Sequence, residues 1–320
     1  MEKIVRRRYI WFLLSLLIII PGLISLSVYG LRPSIDFSGG ALWDIQFPDR
    51  QQSELSTEKI AETFAGQGFE GALVQLSQVT VQGKNIPAVL VRTKPLDPNT
   101  GEEQQRNVLA ALQAQYGANT RREAVQSVGA TVSQESTRSA VIAVLGACVA
   151  ILIYLTLAFR KAPHPIRYGV CALLAMLHDV LVVLGVASIL GYLIGLEVDA
   201  LFLTALLTVI SFSVHDTIVV FDRIRENLLS RRSGETFEEV VNHSIVQTLP
   251  RSINTQLTSM FTLSALLLFG GSSIRNFIAI LLIGLISGTY SSIFNAAQML
   301  VVWENREWSR WFGRREPATA

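Results

Sequence analysis

Charge is scarce in this chain. Only 16% of its 320 residues are Asp, Glu, Lys or Arg, where a soluble domain carries about 25%. Hydrophobic residues make up 50%, more than a water-soluble surface tolerates, so the chain belongs in lipid. The net charge of +2 removes the bulk positive field that nucleic acid would require. Cysteine is nearly absent. Cys148 and Cys171 both lie inside apolar runs, with no zinc or dithiol spacing around them, and read as small buried hydrophobes. Of the 4 histidines, only His178 and His215 fall in apolar runs. No H-E-x-x-H occurs, and neighbouring His and Asp side chains on a helix point about 100° apart, so no metal site is expected. No glycine-rich phosphate loop is present, which excludes ATP as an energy source within the chain.

What the sequence does have is long apolar runs. Six reach the roughly 20 residues a bilayer requires: Tyr9–Tyr29, Ala140–Phe159, Tyr168–Leu190, Asp199–Phe221, Ile245–Phe269 and Ile274–Trp303. The first follows Lys3, Arg6, Arg7 and Arg8 and is long for a signal peptide, so it reads as an uncleaved anchor. Basic residues recur after the second run (Arg160, Lys161, Arg167), after the fourth (Arg223, Arg225, Arg231, Arg232) and in the tail (Arg306, Arg310, Arg314, Arg315). The positive-inside rule then places both termini in the cytoplasm.

The domain plan follows: a cytoplasmic N-terminus and first helix over 1–30, an extracytoplasmic domain over 31–139, helices two to six over 140–303, and a cytoplasmic tail over 304–320. The soluble segment reads strand, helix, strand, strand, helix, strand: Ala41–Phe47, Thr57–Ala65 with Ser56 as N-cap, Leu73–Val81, Pro87–Thr93, Glu102–Tyr116 and Arg122–Val128. That order predicts a ferredoxin-like α+β domain. It contains no His, no Cys and no nucleophile beside a base, so neither an enzyme nor a cofactor is expected.

Ionisable residues inside the bilayer are costly and point to function. The third run carries His178 and Asp179, the fourth His215 and Asp216, and the fifth Arg251. An Asp facing an Arg on the next helix can stay ionised, so Asp216 and Arg251 are expected to meet and to couple to protons. Thr255, Thr258 and Thr262 follow Arg251 on one helical face, beside Asn254. Thr208, Ser211 and His215 share a face of the fourth run, and Ser287, Ser291, Asn295 and Gln298 one of the sixth. Such polar stripes can hold water for proton movement. Gly284 and Gly288 fit the small-xxx-small pattern of close helix packing.

These residues also carry a family resemblance. Asp36-Phe37-Ser38-Gly39-Gly40, Ala175-Met176-Leu177-His178-Asp179, Gly195-Leu196-Glu197-Val198-Asp199, Asp216-Thr217-Ile218-Val219-Val220-Phe221-Asp222-Arg223, Arg251-Ser252-Ile253-Asn254-Thr255 and Gly288-Thr289-Tyr290-Ser291-Ser292 resemble, in order, the signatures of the SecF family. The resemblance implies an auxiliary role in Sec protein export, driven by proton motive force and related to the resistance–nodulation–division transporters. Implied partners are SecD, the SecYEG channel, unfolded exported polypeptides and membrane lipid. The implied location is the bacterial inner membrane, with the thylakoid membrane as the other candidate. The family's acidic coupling residue falls on Asp216 and its arginine on Arg251; where the family usually has Asn, this chain has His215. A small-molecule half-transporter of the resistance–nodulation–division type and a structural scaffold of the translocon are the rival readings.

Overall fold

Every apolar run folds as helix in the computed structural model, which describes residues 4–81 and 84–307. Most of the expected tail, including Arg310, Arg314 and Arg315, lies outside the described residues, as does Lys3. The chain divides into two compact units, 33–140 and the remainder.

In the smaller unit, the short helix α2 (Ile35–Ser38) follows α1 (Arg8–Tyr29) in the chain. The Ser34 hydroxyl caps α2 by accepting from the Asp36 N–H at 3.1 Å. Gly39 and Gly40 then take φ of 73° and 123°. A Cβ on Gly40 would stand 2.7 Å from the Thr93 carbonyl oxygen. The signature Asp36–Gly40 therefore has a local cause: a capped turn that brings the backbone hard against a strand. Strand β1 (Gly40–Gln46), helix α3 (Thr57–Gly66), strands β2 (Leu73–Val81) and β3 (Lys84–Thr93), helix α4 (Gly101–Tyr116) and strand β4 (Arg121–Val128) follow. The sheet order is β2-β3-β1-β4, and every pairing is antiparallel. Ser56 caps α3. Alternate residues of β1 and β3, including Trp43, Ile45, Val89 and Val91, pack with Ile60 and Phe64 of α3 and Val108 and Leu112 of α4 in one core. Trp43 meets Phe64 and Phe69 edge-on and donates its indole N–H to Thr93 at 2.9 Å.

The larger unit is helical. With α1 it contains most of α5 (Ala130–Ala158), then α6 (Pro165–Ile194), α7 (Ala200–Leu229), α8 (Phe237–Phe269), α9 (Ser272–Ser291) and α10 (Ala297–Glu304). Among the described residues, five helical segments are long and apolar enough to cross a bilayer: Val5–Tyr29, Ala130–Ala158, Pro165–Ile194, Ala200–Leu229 and Ile274–Glu304. Helix α8 is longer than any of them at 33 residues, but its apolar half is interrupted by Asn254, Thr255, Gln256, Thr258 and Ser259. The helices outrun the apolar runs, because α5 and α8 begin in polar sequence. The final run is not one α-helix: a π-helical turn over Ser292–Ala296 joins α9 to α10.

The signature segment Gly195–Asp199 explains itself in the turn between α6 and α7. Gly195 ends α6 in the left-handed region at φ 74°, and Asp199 caps α7 by accepting from the Phe202 N–H at 2.7 Å. Inside the bundle α6, α7 and α9 pack on one another, and α1 packs on α6. At the end carrying the N-terminus, Arg8 bonds Glu307 at 2.6 Å and Glu238 at 3.2 Å. Arg167 of α6 pairs with Glu304 of α10.

Candidate proton-coupling site

Asp179 sits where α6, α7 and α9 meet and has no solvent exposure. Ser287 of α9 donates to its Oδ1 at 2.6 Å. Ser213 of α7 and Ser291 of α9 each donate to its Oδ2 at 2.6 Å. His178 Nδ1 lies 3.0 Å from Oδ1. The hydroxyls come from a helical face of α9 spaced i, i+4 and from the facing side of α7, so helix packing alone aims them at one carboxylate. Four polar groups on one carboxylate fill its acceptor positions. The other ring nitrogen of His178 is buried without a partner, and the ring lies against Tyr290.

The second buried carboxylate is Asp216, on α7 one helical turn from Ser213. Its Oδ2 accepts from Gln256 of α8 at 2.5 Å. The expected pairing with Arg251 is not made within this chain. Arg251 is exposed on α8, and no ion pair involving it is present among the described residues. The reason is angular. Ser244, Thr248, Ser252 and Gln256, spaced four apart, form the buried side of α8, and Arg251 stands one residue, about 100°, away from Ser252.

The same rotation places the expected stripes. Asn254, Thr255, Thr258 and Thr262 of α8 are exposed, with Thr255, Thr258 and Thr262 returning their hydroxyls to carbonyls four residues back. On α7, Ser211 and His215 are exposed as well. The expected water-holding stripes on these two helices therefore do not line the interior of this chain. The stripe of the sixth run does: Ser287 and Ser291 reach Asp179, and Asn295, within the π-helical turn, and Gln298, on α10, are buried with side-chain nitrogens unpartnered. The Asn295 Oδ1 accepts from Ser15 of α1 at 3.0 Å. Gly284 and Gly288 lie against α7, where a Cβ would stand 2.1 Å from a Val209 methyl and 3.3 Å from the Ser213 Cα respectively.

Ser213, Gln256 and Ser252 escaped the sequence reasoning. The four-residue spacing of Ser244, Thr248, Ser252 and Gln256 was the available signal. No group of three or more His, Cys, Asp or Glu that would hold a metal occurs among the described residues.

Comparison with known proteins identifies the family of the chain. The family described as "Protein export membrane protein SecD/SecF, C-terminal" matches residues 108–306. Protein translocase subunit SecF of Thermobaculum terrenum is 50% identical over all of this chain and 99% of its own length. The SecF subunit of Anaerolinea thermophila is 46% identical over the whole of both. Protein translocase subunit SecDF of Bacillus subtilis is 35% identical over 94% of this chain, which spans 38% of that protein. Among solved structures, SecDF of Thermus thermophilus, a translocon-associated membrane protein, superposes with a TM-score of 0.76 at 33% identity, over 94% of this chain and 38% of its own. The chain belongs to the SecF family and is an auxiliary subunit of the Sec protein translocase.

Proposed function

We propose that this chain, together with SecD, uses proton motive force to promote export of unfolded polypeptides through the SecYEG channel of the bacterial inner membrane. The observation that carries the reading is a pair of carboxylates, Asp179 and Asp216, buried among bilayer-length helices and bonded to side chains of other helices. Full charges are costly there, and a group that gains and loses a proton is the physical use for them. His178 and His215 flank the two carboxylates in sequence.

The outward face of α8 supports the partner. An arginine and an asparagine facing hydrocarbon are unfavourable, so Arg251, Asn254, Thr255 and Thr258 read as a surface against SecD helices. In that setting Arg251 acts on a carboxylate from outside this chain or on Asp216 after rearrangement. We read α8 as the sixth span, since 33 residues rise about 50 Å as α-helix. We read 31–139 as a ferredoxin-like domain outside the cytoplasm and 1–30, 140–303 and 304–320 as the membrane and cytoplasmic parts. The strand order β2-β3-β1-β4 in a βαββαβ chain supports the first of these.

The test is reconstitution with SecD and SecYEG in vesicles. An imposed proton gradient stimulates export with the native chain, and Asp216→Asn and Asp179→Asn each remove that stimulation at unchanged chain level and SecD binding. Full stimulation in both variants rejects proton coupling through this chain.

A further inference from the structure

We infer that Ser291 is a positioning residue that passes the protonation state of Asp179 to the π-helical turn Ser292–Ala296, by switching its hydroxyl from the Asp179 carboxylate to the Gly288 carbonyl. The inference rests on the proton-carrying reading of Asp179 above.

As a carboxylate, Asp179 has no hydrogen to donate, and Ser213, Ser287, Ser291 and His178 surround its two oxygens. A proton arriving on Oδ2 turns that oxygen into a donor, and one hydroxyl that faced it must turn away and accept instead. The two candidates are Ser213 and Ser291. Ser291 alone of the two has a second acceptor in reach among the described residues: the Gly288 carbonyl oxygen, at 3.3 Å. The switch therefore forms and breaks only hydrogen bonds. The Ser291 hydroxyl donates to Gly288, and its oxygen accepts the new Asp179 O–H.

Gly288 is where this matters. Its carbonyl already accepts the Ser292 N–H, the last α-type bond before the π-helical turn. A serine hydroxyl that bonds back to a carbonyl of the preceding turn competes for it and bends the helix. The turn itself holds one residue more than an α-turn, a feature common at functional sites. Asn295 within the turn and Gln298 just beyond it are buried with nitrogens unpartnered, so the segment has polar groups free to take new partners when it rotates. Past these, α10 ends in the Arg167–Glu304 pair. The titratable groups near Asp179 are His178 on its own helix, Asp216 on α7 and Tyr290 on α9. Helix α1 packs on α6 through Gly22 and Ser25, and the π-helical turn and α10 bring the uncharged Asn295 and Gln298.

The experiment uses the full chain with SecD in lipid nanodiscs, with Cys148→Ala and Cys171→Ala. Spin labels on Ile166→Cys and Arg306→Cys read the separation of α6 from the end of α10. Infrared difference spectra read the carboxyl band that Asp179→Asn removes. In the native background, acidification raises the band and changes the separation. Ser291→Ala keeps the titrating band and loses the change in separation, and Ser291→Thr, which retains a hydroxyl, restores it. An undiminished change in Ser291→Ala, loss of the band together with the change, or a native separation that ignores pH while the band titrates, each overturns the role of Ser291 and leaves proton carriage standing. Absence of any pH-dependent band removed by Asp179→Asn overturns the proton-carrying reading itself, and the inference with it.

Discussion

Gly22 of α1 and Gly185 of α6 meet backbone to backbone: a Cβ on Gly185 would lie 2.6 Å from the Gly22 Cα. Between lipid-facing helices such contact replaces the hydrophobic driving force that is missing in a bilayer. It also fixes the height at which Ser25 meets Ser188, 2.9 Å apart. Gly185→Val forces the helices apart. We expect a loss of about 1–3 kcal/mol, the usual range for overpacking, read as a lower denaturation midpoint in detergent. Gly146→Val, on α5 where nothing lies within 4 Å, is the control and leaves the midpoint unchanged.

Asp216 is bonded to Gln256, not to Arg251, and this separates their variants. Gln256→Leu leaves Asp216 without its neutral partner and lowers both stability and export stimulation. The stability loss is about 1–3 kcal/mol, the cost of a stranded buried polar group. Arg251→Met, on an exposed position, lowers export stimulation and SecD association with little effect on the melting of the isolated chain. His215→Asn, also exposed, is tolerated in both assays. A melt in which Arg251→Met costs as much as Gln256→Leu contradicts the outward placement of α8.

The clamp of Arg8 and Glu307 carries a pH signature. Burial alone raises the Glu307 carboxyl, but hydrogen bonds from Arg8, Tyr9 and Asn305 and the Arg8 charge outweigh it and hold the group below its ordinary value. A carboxyl depressed in the folded state contributes stability above its unfolded pKa, and that stability is lost as pH falls through the folded value. Glu307→Gln therefore lowers the melting temperature at pH 7, through a stability loss of no more than about 1 kcal/mol. The difference from the native chain closes below about pH 4, which melting curves across pH 3–7 measure.

The unit spanning 33–140 is expected to fold when expressed alone, with a cooperative melt and a dispersed NMR spectrum. Trp43→Ala removes about 3–5 kcal/mol, since its ring is fully buried between Phe64 and Phe69. Asp44 gives the opposite sign. Burial, then the charge of Glu123, raises its carboxyl above the ordinary range, and its Oδ1 is buried without a partner. A raised carboxyl costs stability as pH rises from its unfolded to its folded pKa. Asp44→Asn thus raises the Tm at pH 7 and leaves it unchanged below pH 3.

Topology is checked with single cysteines in a chain carrying Cys148→Ala and Cys171→Ala. A membrane-impermeant thiol reagent added to intact cells labels Asn99→Cys and not Ser233→Cys, both exposed positions. The reverse pattern inverts the chain in the membrane.

The apolar runs and the alternation of β-branched and polar residues were sufficient to place the helices and strands, because burial in lipid or beneath a sheet demands those periods whatever surrounds them. Strand β2 falls on the residues expected, and α3 begins after the expected Ser56 cap. The sequence also located the ionisable residues of the bundle. It was unable to say which partner each one meets. Helical periodicity fixes the angle between Arg251 and Thr255, or between Ser252 and Gln256, but not the rotation of α8 about its own axis. Packing of α8 on α7 and α9 set that rotation, turned Gln256 inward to Asp216 and left Arg251 outside. The π-helical turn is the second decision of the tertiary structure. Ser287, Ser291 and Asn295 would share one face of an uninterrupted α-helix. Asn295 lies inside the π-helical turn, whose wider winding departs from the α-helical 100° per residue, so that Ser287 and Ser291 reach Asp179 while Asn295 reaches Ser15 on α1.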